Sequence, residues 1–193
     1  MMKNKYTLRI ISGVFKGRGL VSPPDDFVRP TSGRVKEALF NRIRTDLPGT
    51  DFLDLFAGTG QVGLEAVSLG ARCVFADVSL GLVRENIRLL HCEENTRVLQ
   101  GDFVQVLTQL TREGRTFDFI FADPPYQAGY YEEIVALSFA VLKENGVLIL
   151  EHASDFTVEA PLFRLEDRRK YGSRSLTFLK EKKNETDDLS RQF

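Results

Sequence analysis

The amino-acid sequence predicts a single α/β domain built on a mostly parallel sheet of seven strands. From residue 51 onward, short runs rich in β-branched and aromatic residues alternate with segments of helical periodicity, the pattern of parallel strands joined by crossover helices. The chain has 193 residues, of which 42% are hydrophobic, which is enough for one core of ordinary size and too little for two. We therefore expect a doubly wound sheet, which binds its ligand at the carboxyl ends of the strands.

The elements follow one another in regular order along the chain. The strands are expected at DFLDLF, CVFAD, TRVLQ, FDFIFA, GVLILEH, FRLEDRRK and SLTFLK. Helices are predicted over 32–44, 63–70, 82–92, 103–112 and 130–143. Gly70 and Gly146 stand where a helix stops and a strand begins, which predicts a left-handed glycine at both positions.

The N-terminal segment has a different pattern. LRIISG and GRGLVSPP indicate two strands around the glycine-bearing turn GVFKG, followed by a proline-rich bend. We expect residues 1–28 to form a basic β-hairpin extension, residues 29–183 the main domain and residues 184–193 a polar tail.

Positive charge is concentrated near the two ends of the chain. Residues 1–36 carry a balance of +6 and residues 164–183 a balance of +5, which leaves −12 for the rest of a chain whose net charge is −1. If these segments converge on one face, that face would attract the phosphates of a nucleic acid. The alternative is that scattered lysines and arginines only confer solubility.

Several classes of protein do not fit the sequence. The apolar runs are far shorter than the roughly 18 residues of a membrane span, and the N-terminus lacks the apolar centre of a signal peptide, so we expect a cytoplasmic protein. Cys73 and Cys92 lack the spacing of a zinc site and are expected to be reduced packing residues. His91 and His152 do not complete a ligand set, so no metal is implied.

The run DLFAGTGQVG (54–63) ends a strand with a glycine-rich turn and enters a helix. Gly58 and Gly60 allow the backbone to turn tightly and to approach a ligand, and the helix N-terminus presents free N–H groups. The ligand could be a dinucleotide or a sulfonium nucleoside, or the run could be a tight turn alone. Asp54 favours the sulfonium cofactor, because a carboxylate suits a cationic group and repels a pyrophosphate. Gly63 completes the G-x-G-x-x-G pattern, so the dehydrogenase alternative stays open.

Two further carboxylates follow the next strands. Asp77 ends its strand 19 residues after Gly58 and could accept both ribose hydroxyls of an adenosine. Asp102 could accept from the adenine amine. For each, the alternative is an ordinary cap at the start of the following helix.

FADPPY (121–126) ends the fourth strand and carries the chemistry. Pro124 and Pro125 stop the strand and fix the loop, so Asp123 and the neighbouring carbonyls are held rigidly. An exocyclic amine is a poor nucleophile because its lone pair is delocalised into the ring. Acceptors for its N–H groups orient that lone pair towards a methyl carbon. Tyr126 could stack on the base.

These motifs resemble the class I (Rossmann-like) amino-methyltransferases of nucleic acids. A narrower resemblance, which extends from residue 8 to about 180, is to the bacterial 16S ribosomal RNA guanine-N2 methyltransferases of the RsmD type. It is carried by LRIISGVFKGRGL, RPTSGRVKEALFNRI and YGSRSLTFLK. The resemblance implies methyl transfer from S-adenosylmethionine to the N2 amine of a guanine in 16S rRNA. The alternative is transfer to adenine in DNA or to another RNA, since DPPY alone is shared with DNA adenine methyltransferases.

The resemblance also implies roles for individual residues and a setting for the reaction. The cofactor's methionine end would be closed over by the segment of Arg29, Thr31 and Arg34, in which Ser32-Gly33 replaces the Thr and Asp that such enzymes commonly have. The implied partner is 16S rRNA in a partly or fully assembled small subunit, bound by a monomer. Asp54, Gly58 and Gly60 would form the cradle of the cofactor, Asp77 would bind its ribose and Asp102 its adenine. The target guanine would be held by Asp123, Pro124, Pro125 and Tyr126.

Overall fold

A computed structural model describes residues 8–22, 33–125 and 130–182. The predictions for Arg29, Thr31 and Tyr126 lie outside these ranges. The helices are α1 Gly33–Ile43, α2 Gln61–Ser68, α3 Gly81–Leu90, α4 Phe103–Arg112 and α5 Tyr130–Phe139, with a 3-10 turn at Glu93–Asn95. The strands are β1 Leu8–Arg9, β2 Gly19–Leu20, β3 Asp51–Leu55, β4 Arg72–Asp77, β5 Thr96–Gln100, β6 Phe117–Ala122, β7 Leu142–Ala153, β8 Phe163–Tyr171 and β9 Arg174–Glu181.

The main sheet has seven strands in the order β5-β4-β3-β6-β7-β9-β8. The first five run parallel, and β9 lies antiparallel between β7 and β8. The predicted seven-stranded, mostly parallel sheet is therefore confirmed. The strand order reverses between β3 and β6, and a crevice opens at such a point at the carboxyl ends of the strands.

Helices cover both faces of this sheet. On one face, α1, α2 and α3 pack on inward residues such as Phe52 and Phe119. On the other face, α4 and α5 pack on the alternate residues, such as Leu53 and Ile120. Because both faces are buried, the central strands are continuously apolar, which is why the sequence identified them readily. No helix in the described part of the chain is long and apolar enough to span a bilayer.

The predicted N-terminal hairpin is present as a separate two-stranded antiparallel sheet, but its strands are only two residues long. The pairing ends early because the chain bonds to α2 instead. The backbone N–H groups of Ile11 and Ser12 donate to the Glu65 carboxylate at 2.7–3.1 Å, and the N–H of Val14 donates to the carbonyl of Ser68 at 2.8 Å. The division of the chain at residues 28 and 183 stays a prediction.

The predicted left-handed glycine is confirmed at Gly70 (φ 97°) and wrong at Gly146, where Asn145 takes the positive φ of 65°. The cause is the start of β7. Leu142 pairs with Phe117, and the register then shifts, so β7 begins inside the predicted helix. A side chain on Gly146 would still be excluded, because its Cβ would lie 2.9 Å from the carbonyl oxygen of Lys143.

The described part of the hairpin lies apart from the basic residues of β8. The hairpin packs on α2, which lies on β3 and β4, whereas Arg164, Arg168 and Arg169 lie on the edge strand β8. Three strands separate β3 from β8, a distance of about 19 Å at ordinary strand spacing. The described hairpin residues and the arginines of β8 therefore do not form one continuous basic face.

Candidate active site

A cavity of about 610 Å³ opens at the carboxyl ends of the parallel strands, where the strand order reverses. Its size is that of a small-molecule site. Four predicted carboxylates, one predicted glycine and one newly found arginine share its wall, and they follow the order of the strands in the sheet. They are Asp102 after β5, Asp77 on β4, Asp54 on β3, Gly58 in the following turn, Asp123 after β6 and Arg174 on β9.

The other predicted site residues within the described ranges are Pro124, Pro125, Gly60 and Arg34. Pro124 and Pro125 line the cavity beside Asp123. Gly60 precedes α2 as its N-cap, with φ 77°, and does not itself line the wall. Arg34 is exposed in the first turn of α1 and is also absent from the wall. The structure thus brings most of the predicted residues together, but their roles stay predictions.

The glycine turn is held by the two carboxylates that flank it. The N–H of Gly58 donates to Oδ2 of Asp77 at 2.9 Å, and the N–H of Gly63 donates to Oδ2 of Asp54 at 2.8 Å. Phe56 and Gly58 both have positive φ, 68° and 55°. Positive φ in a phenylalanine is a genuine backbone outlier, and such outliers cluster at functional sites.

Asp54 argues against a pyrophosphate ligand. Its side chain is fully buried at the start of α2 and occupies an N–H group of the first helical turn that an anion would otherwise use. Burial, opposed by the Gly63 hydrogen bond and supported by the charges of Asp77 and Asp123, raises the pKa of Asp54 to about 7. The third glycine has a packing role instead, because a Cβ on Gly63 would lie 2.3 Å from the Phe75 ring.

Asp77 and Asp102 fit both interpretations that the sequence left open. Oδ1 of Asp77 accepts from the N–H of Ser79 at 3.0 Å, and Oδ1 of Asp102 caps α4 by accepting from the N–H of Gln105 at 2.9 Å. Both residues also line the cavity. Capping therefore does not remove either carboxylate from the candidate site.

Asp123 is held by a cation that the sequence did not reveal. Nη1 of Arg174 lies 3.2 Å from Oδ1 of Asp123 and 2.6 Å from Oε1 of Glu151. Glu151 is fully buried near the end of β7. Burial, supported by the charge of Asp123 and opposed by Arg174, raises the pKa of Glu151. The only available signal was a charged residue that ends the apolar run VLIL.

Aromatic side chains form another part of the cavity wall. The ring of Phe103 lies 5.6 Å from that of Phe56 and 5.5 Å from that of Tyr130, measured between centroids. All three line the cavity. Such a row offers an apolar surface to a flat heterocycle.

Asn86 was also missed by the sequence analysis. It is fully buried on α3, and its amide bonds both backbone groups of Val21 and the carbonyl of Thr59 at 2.7–3.0 Å. It therefore joins Val21, the residue after β2, to the glycine turn. A single asparagine in an amphipathic helix carries no sequence signal for this role.

Comparison with known proteins identifies the family. The family model described as "Conserved hypothetical protein 95" matches residues 8–180. Ribosomal RNA small subunit methyltransferase D of Escherichia coli K12 is 37% identical over 146 residues, which is 73% of this chain and 69% of that protein. The chain belongs to the RsmD family of methyltransferases.

Solved structures agree with membership of this family. The hypothetical protein TTHA0928 of Thermus thermophilus is 32% identical, with a TM-score of 0.78 over 90% of this chain and 99% of that one. SMU.776, solved in complex with SAH, has a TM-score of 0.63 over 73% of this chain and 49% of that one, and at 18% identity it shows the fold alone. The predicted family and methyltransferase fold are confirmed, and S-adenosylmethionine, the cofactor predicted from the sequence, agrees with them.

Proposed function

We propose that the protein transfers a methyl group from S-adenosylmethionine to the exocyclic N2 amine of a guanine in 16S ribosomal RNA. The observation that carries the proposal is that Asp123 lines the same cavity as the glycine turn and Asp77. A cofactor held along the turn would therefore lie beside the acceptor for the amine. The name of the E. coli relative supports small-subunit ribosomal RNA as the substrate.

The residues of the cavity fit this cofactor. Asp54 offers a carboxylate to a cationic amino acid end, Asp77 offers one to a ribose, and Asp102 offers one to an adenine amine beside the ring of Phe103. The cavity volume of about 610 Å³ is adequate for a nucleoside ligand. When bound, this cofactor supplies a methyl group on a positively charged sulfur.

The residues of the chain prepare the amine for attack. The Asp123 carboxylate and a neighbouring backbone carbonyl accept hydrogen bonds from the amine and orient its lone pair, while Pro124 and Pro125 hold that loop. The amine nitrogen would take the methyl carbon that the cofactor supplies, the sulfur would remain in a neutral thioether, and the nitrogen would then release one proton to solvent. Tyr126, outside the described residues, is proposed to stack on the base.

The proposal keeps the predicted setting of the reaction. The substrate is 16S rRNA within a partly or fully assembled small subunit, the enzyme acts as a monomer in the cytoplasm, and the segment of Arg29, Thr31 and Arg34 closes over the cofactor. Residues 1–28 form a basic extension, residues 29–183 form the methyltransferase domain and residues 184–193 form a polar tail.

Substrate choice is tested by incubating the protein with labelled S-adenosylmethionine and, separately, 16S rRNA, assembled small subunits and duplex DNA. Digestion and mass analysis should find N2-methylguanosine in the ribosomal samples. N6-methyladenine in the DNA sample, with unmodified ribosomal samples, would establish the alternative substrate instead.

The proposed role of Asp123 is tested by Asp123→Ala. This variant should lose methyl transfer and keep cofactor binding, measured by calorimetry, because Asp123 acts on the amine rather than on the cofactor. Asp155→Ala is a matched control, since Asp155 is exposed and does not line the cavity. Unchanged turnover of Asp123→Ala would remove Asp123 from the mechanism.

A further inference from the structure

The structure places one guanidinium between two carboxylates at the acceptor end of the cavity. Arg174 lies on β9, Glu151 on β7 and Asp123 on the loop after β6, with Nη1 of Arg174 at 2.6 Å from Glu151 and 3.2 Å from Asp123. The Arg174 side chain is 15% exposed and that of Glu151 is fully buried. These contacts join three elements that are adjacent in the sheet and distant in the sequence.

Strand pairing explains why Arg174 reaches both partners. In the antiparallel pair of β7 and β9, Glu151 lies opposite Leu176 and Ala153 lies opposite Arg174. Arg174 and Glu151 are thus diagonal neighbours on one face, within reach of a long side chain. Arg174 extends past the end of β6 and meets Asp123 there.

We propose that Arg174, itself anchored by Glu151, is the positioning residue for the Asp123 carboxylate. The inference rests on the function proposed above, in which Asp123 accepts from the target amine. The two prolines restrict the backbone of the loop. The contact with Arg174, at 3.2 Å, acts on the side chain of Asp123.

The charges at this site support the same role. Two carboxylates that share a site disfavour each other's ionised form, and a cation between them offsets that repulsion. The charged groups that act on Glu151 are Asp123 from the loop after β6 and Arg174 from β9. Oε2 of Glu151 has no hydrogen-bond partner within the described ranges, so Arg174 is the principal compensation for its burial there. Without Arg174, a displaced Asp123 would be a poorer acceptor for the amine.

The test compares Arg174→Met, Glu151→Gln and the double variant with the wild type, using assembled small subunits or whichever nucleic acid the wild type methylates. Arg174→Met should lower kcat about a hundredfold, as expected for a misplaced catalytic group, and leave the Kd for S-adenosylhomocysteine within about twofold. The double variant should be no more impaired than Arg174→Met, because burial without the Arg174 cation leaves the Glu151 carboxyl neutral and the glutamine is neutral too. Arg174→Lys, which keeps the charge, should retain more activity than Arg174→Met.

Arg97→Met is the matched control, because Arg97 forms an exposed pair with Glu113 away from the cavity. It should leave kcat unchanged. A purely structural role for Arg174 predicts that Arg174→Lys is as impaired as Arg174→Met, and a role in RNA binding predicts a raised KM with unchanged kcat. Either result would overturn the proposal. If Arg174→Met does not fold, Arg174→Gln, alone and with Glu151→Gln, is held to the same criteria.

Crystal structures separate this inference from the proposed function. Wild-type protein that methylates no guanine in 16S rRNA would refute the proposed function alone. In that case the positions of Asp123 in wild-type and Arg174→Met crystals with S-adenosylhomocysteine still decide the inference. A displaced carboxylate supports positioning by Arg174, and an unmoved one contradicts it.

Discussion

Lys36 on α1 and Glu65 on α2 form an ion pair of 3.2 Å, and their side chains are 4% and 0% exposed. Glu65 also accepts hydrogen bonds from the backbone N–H groups of Ile11 and Ser12. One buried carboxylate therefore joins the hairpin, α1 and α2. Because α2 begins at the glycine turn, the docking of the hairpin and the wall of the cavity depend on the same helix.

Glu65→Ala should destabilise the protein by roughly 3–5 kcal/mol, because it leaves Lys36 buried without a counter-charge and removes acceptors from two backbone donors. Urea unfolding measures the free energy of unfolding. Glu113→Ala, which breaks the exposed pair with Arg97, should change it little. An equal loss in the free energy of unfolding for Glu65→Ala and Glu113→Ala would contradict a central role for Glu65.

The turn of the hairpin offers a matched pair of glycines. Gly13 and Gly17 have φ values of 75° and 85°. A Cβ on Gly13 would lie 1.9 Å from the Ser68 carbonyl oxygen, whereas one on Gly17 would meet no atom of the described residues within 4 Å. Gly17→Ala should cost about 1–2 kcal/mol from backbone strain alone. Gly13→Ala should cost about 1–3 kcal/mol more, because the hairpin must lift from α2.

Thermal or urea unfolding compares the two alanine variants, and hydrogen exchange over residues 8–22 locates the effect. Exchange should accelerate more in Gly13→Ala than in Gly17→Ala. Similar stabilities for the two variants would show that the hairpin is not held against α2 at Ser68.

Cofactor affinity should rise with pH as the pH approaches 7. Burial raises the pKa of Asp54 to about 7, so below that pH the carboxyl is protonated and must lose its proton to pair with a cationic amino group. The Kd should therefore fall about tenfold per pH unit between pH 5 and 6.5, and level off near pH 7. Calorimetry in buffers of different ionisation enthalpy measures both Kd and proton release.

Two variants separate Asp54 from the other carboxyl whose pKa is raised. Asp54→Asn should weaken binding at pH 7 and remove the pH dependence, whereas Glu151→Gln should retain it. A pH-dependent Kd that persists in Asp54→Asn would assign the titration to another group.

The elements whose bounds were predicted correctly are encoded by short sequence patterns. FDFIFA and the helix over 103–112 coincide with β6 and α4, because a buried apolar strand and an amphipathic helix with an aspartate cap are each encoded within a few residues. TRVLQ coincides with the edge strand β5, in which Leu99 is buried. The carboxylates that end these strands converge because parallel strands share an edge, so topology alone predicted the cavity.

Long-range pairings account for what the sequence did not predict. Arg174 and Asp123 are 51 residues apart, and Asn86 and Val21 are 65 apart. These contacts depend on β9 lying between β7 and β8 and on the docking of the hairpin, which no local pattern encodes. The left-handed Asn145 has the same origin, since the register of β7 against β6 sets the bulge that it occupies.

Asp102 allows capping and cofactor binding to be separated by substitution. Its Oδ1 caps α4 through the N–H of Gln105, and the proposed contact with the adenine amine needs a carboxylate oxygen. Asp102→Ser keeps a good N-cap, so its free energy of unfolding should stay within about 0.5 kcal/mol of the wild type, whereas Asp102→Ala should lose about 1 kcal/mol. Both variants should bind S-adenosylmethionine about tenfold more weakly, because a hydrogen bond to a charged acceptor contributes roughly 1.5–3 kcal/mol. Urea unfolding measures the free energy of unfolding, and calorimetry on the same samples measures cofactor affinity. Wild-type affinity in a stable Asp102→Ser variant would leave Asp102 as a helix cap without a role in cofactor binding.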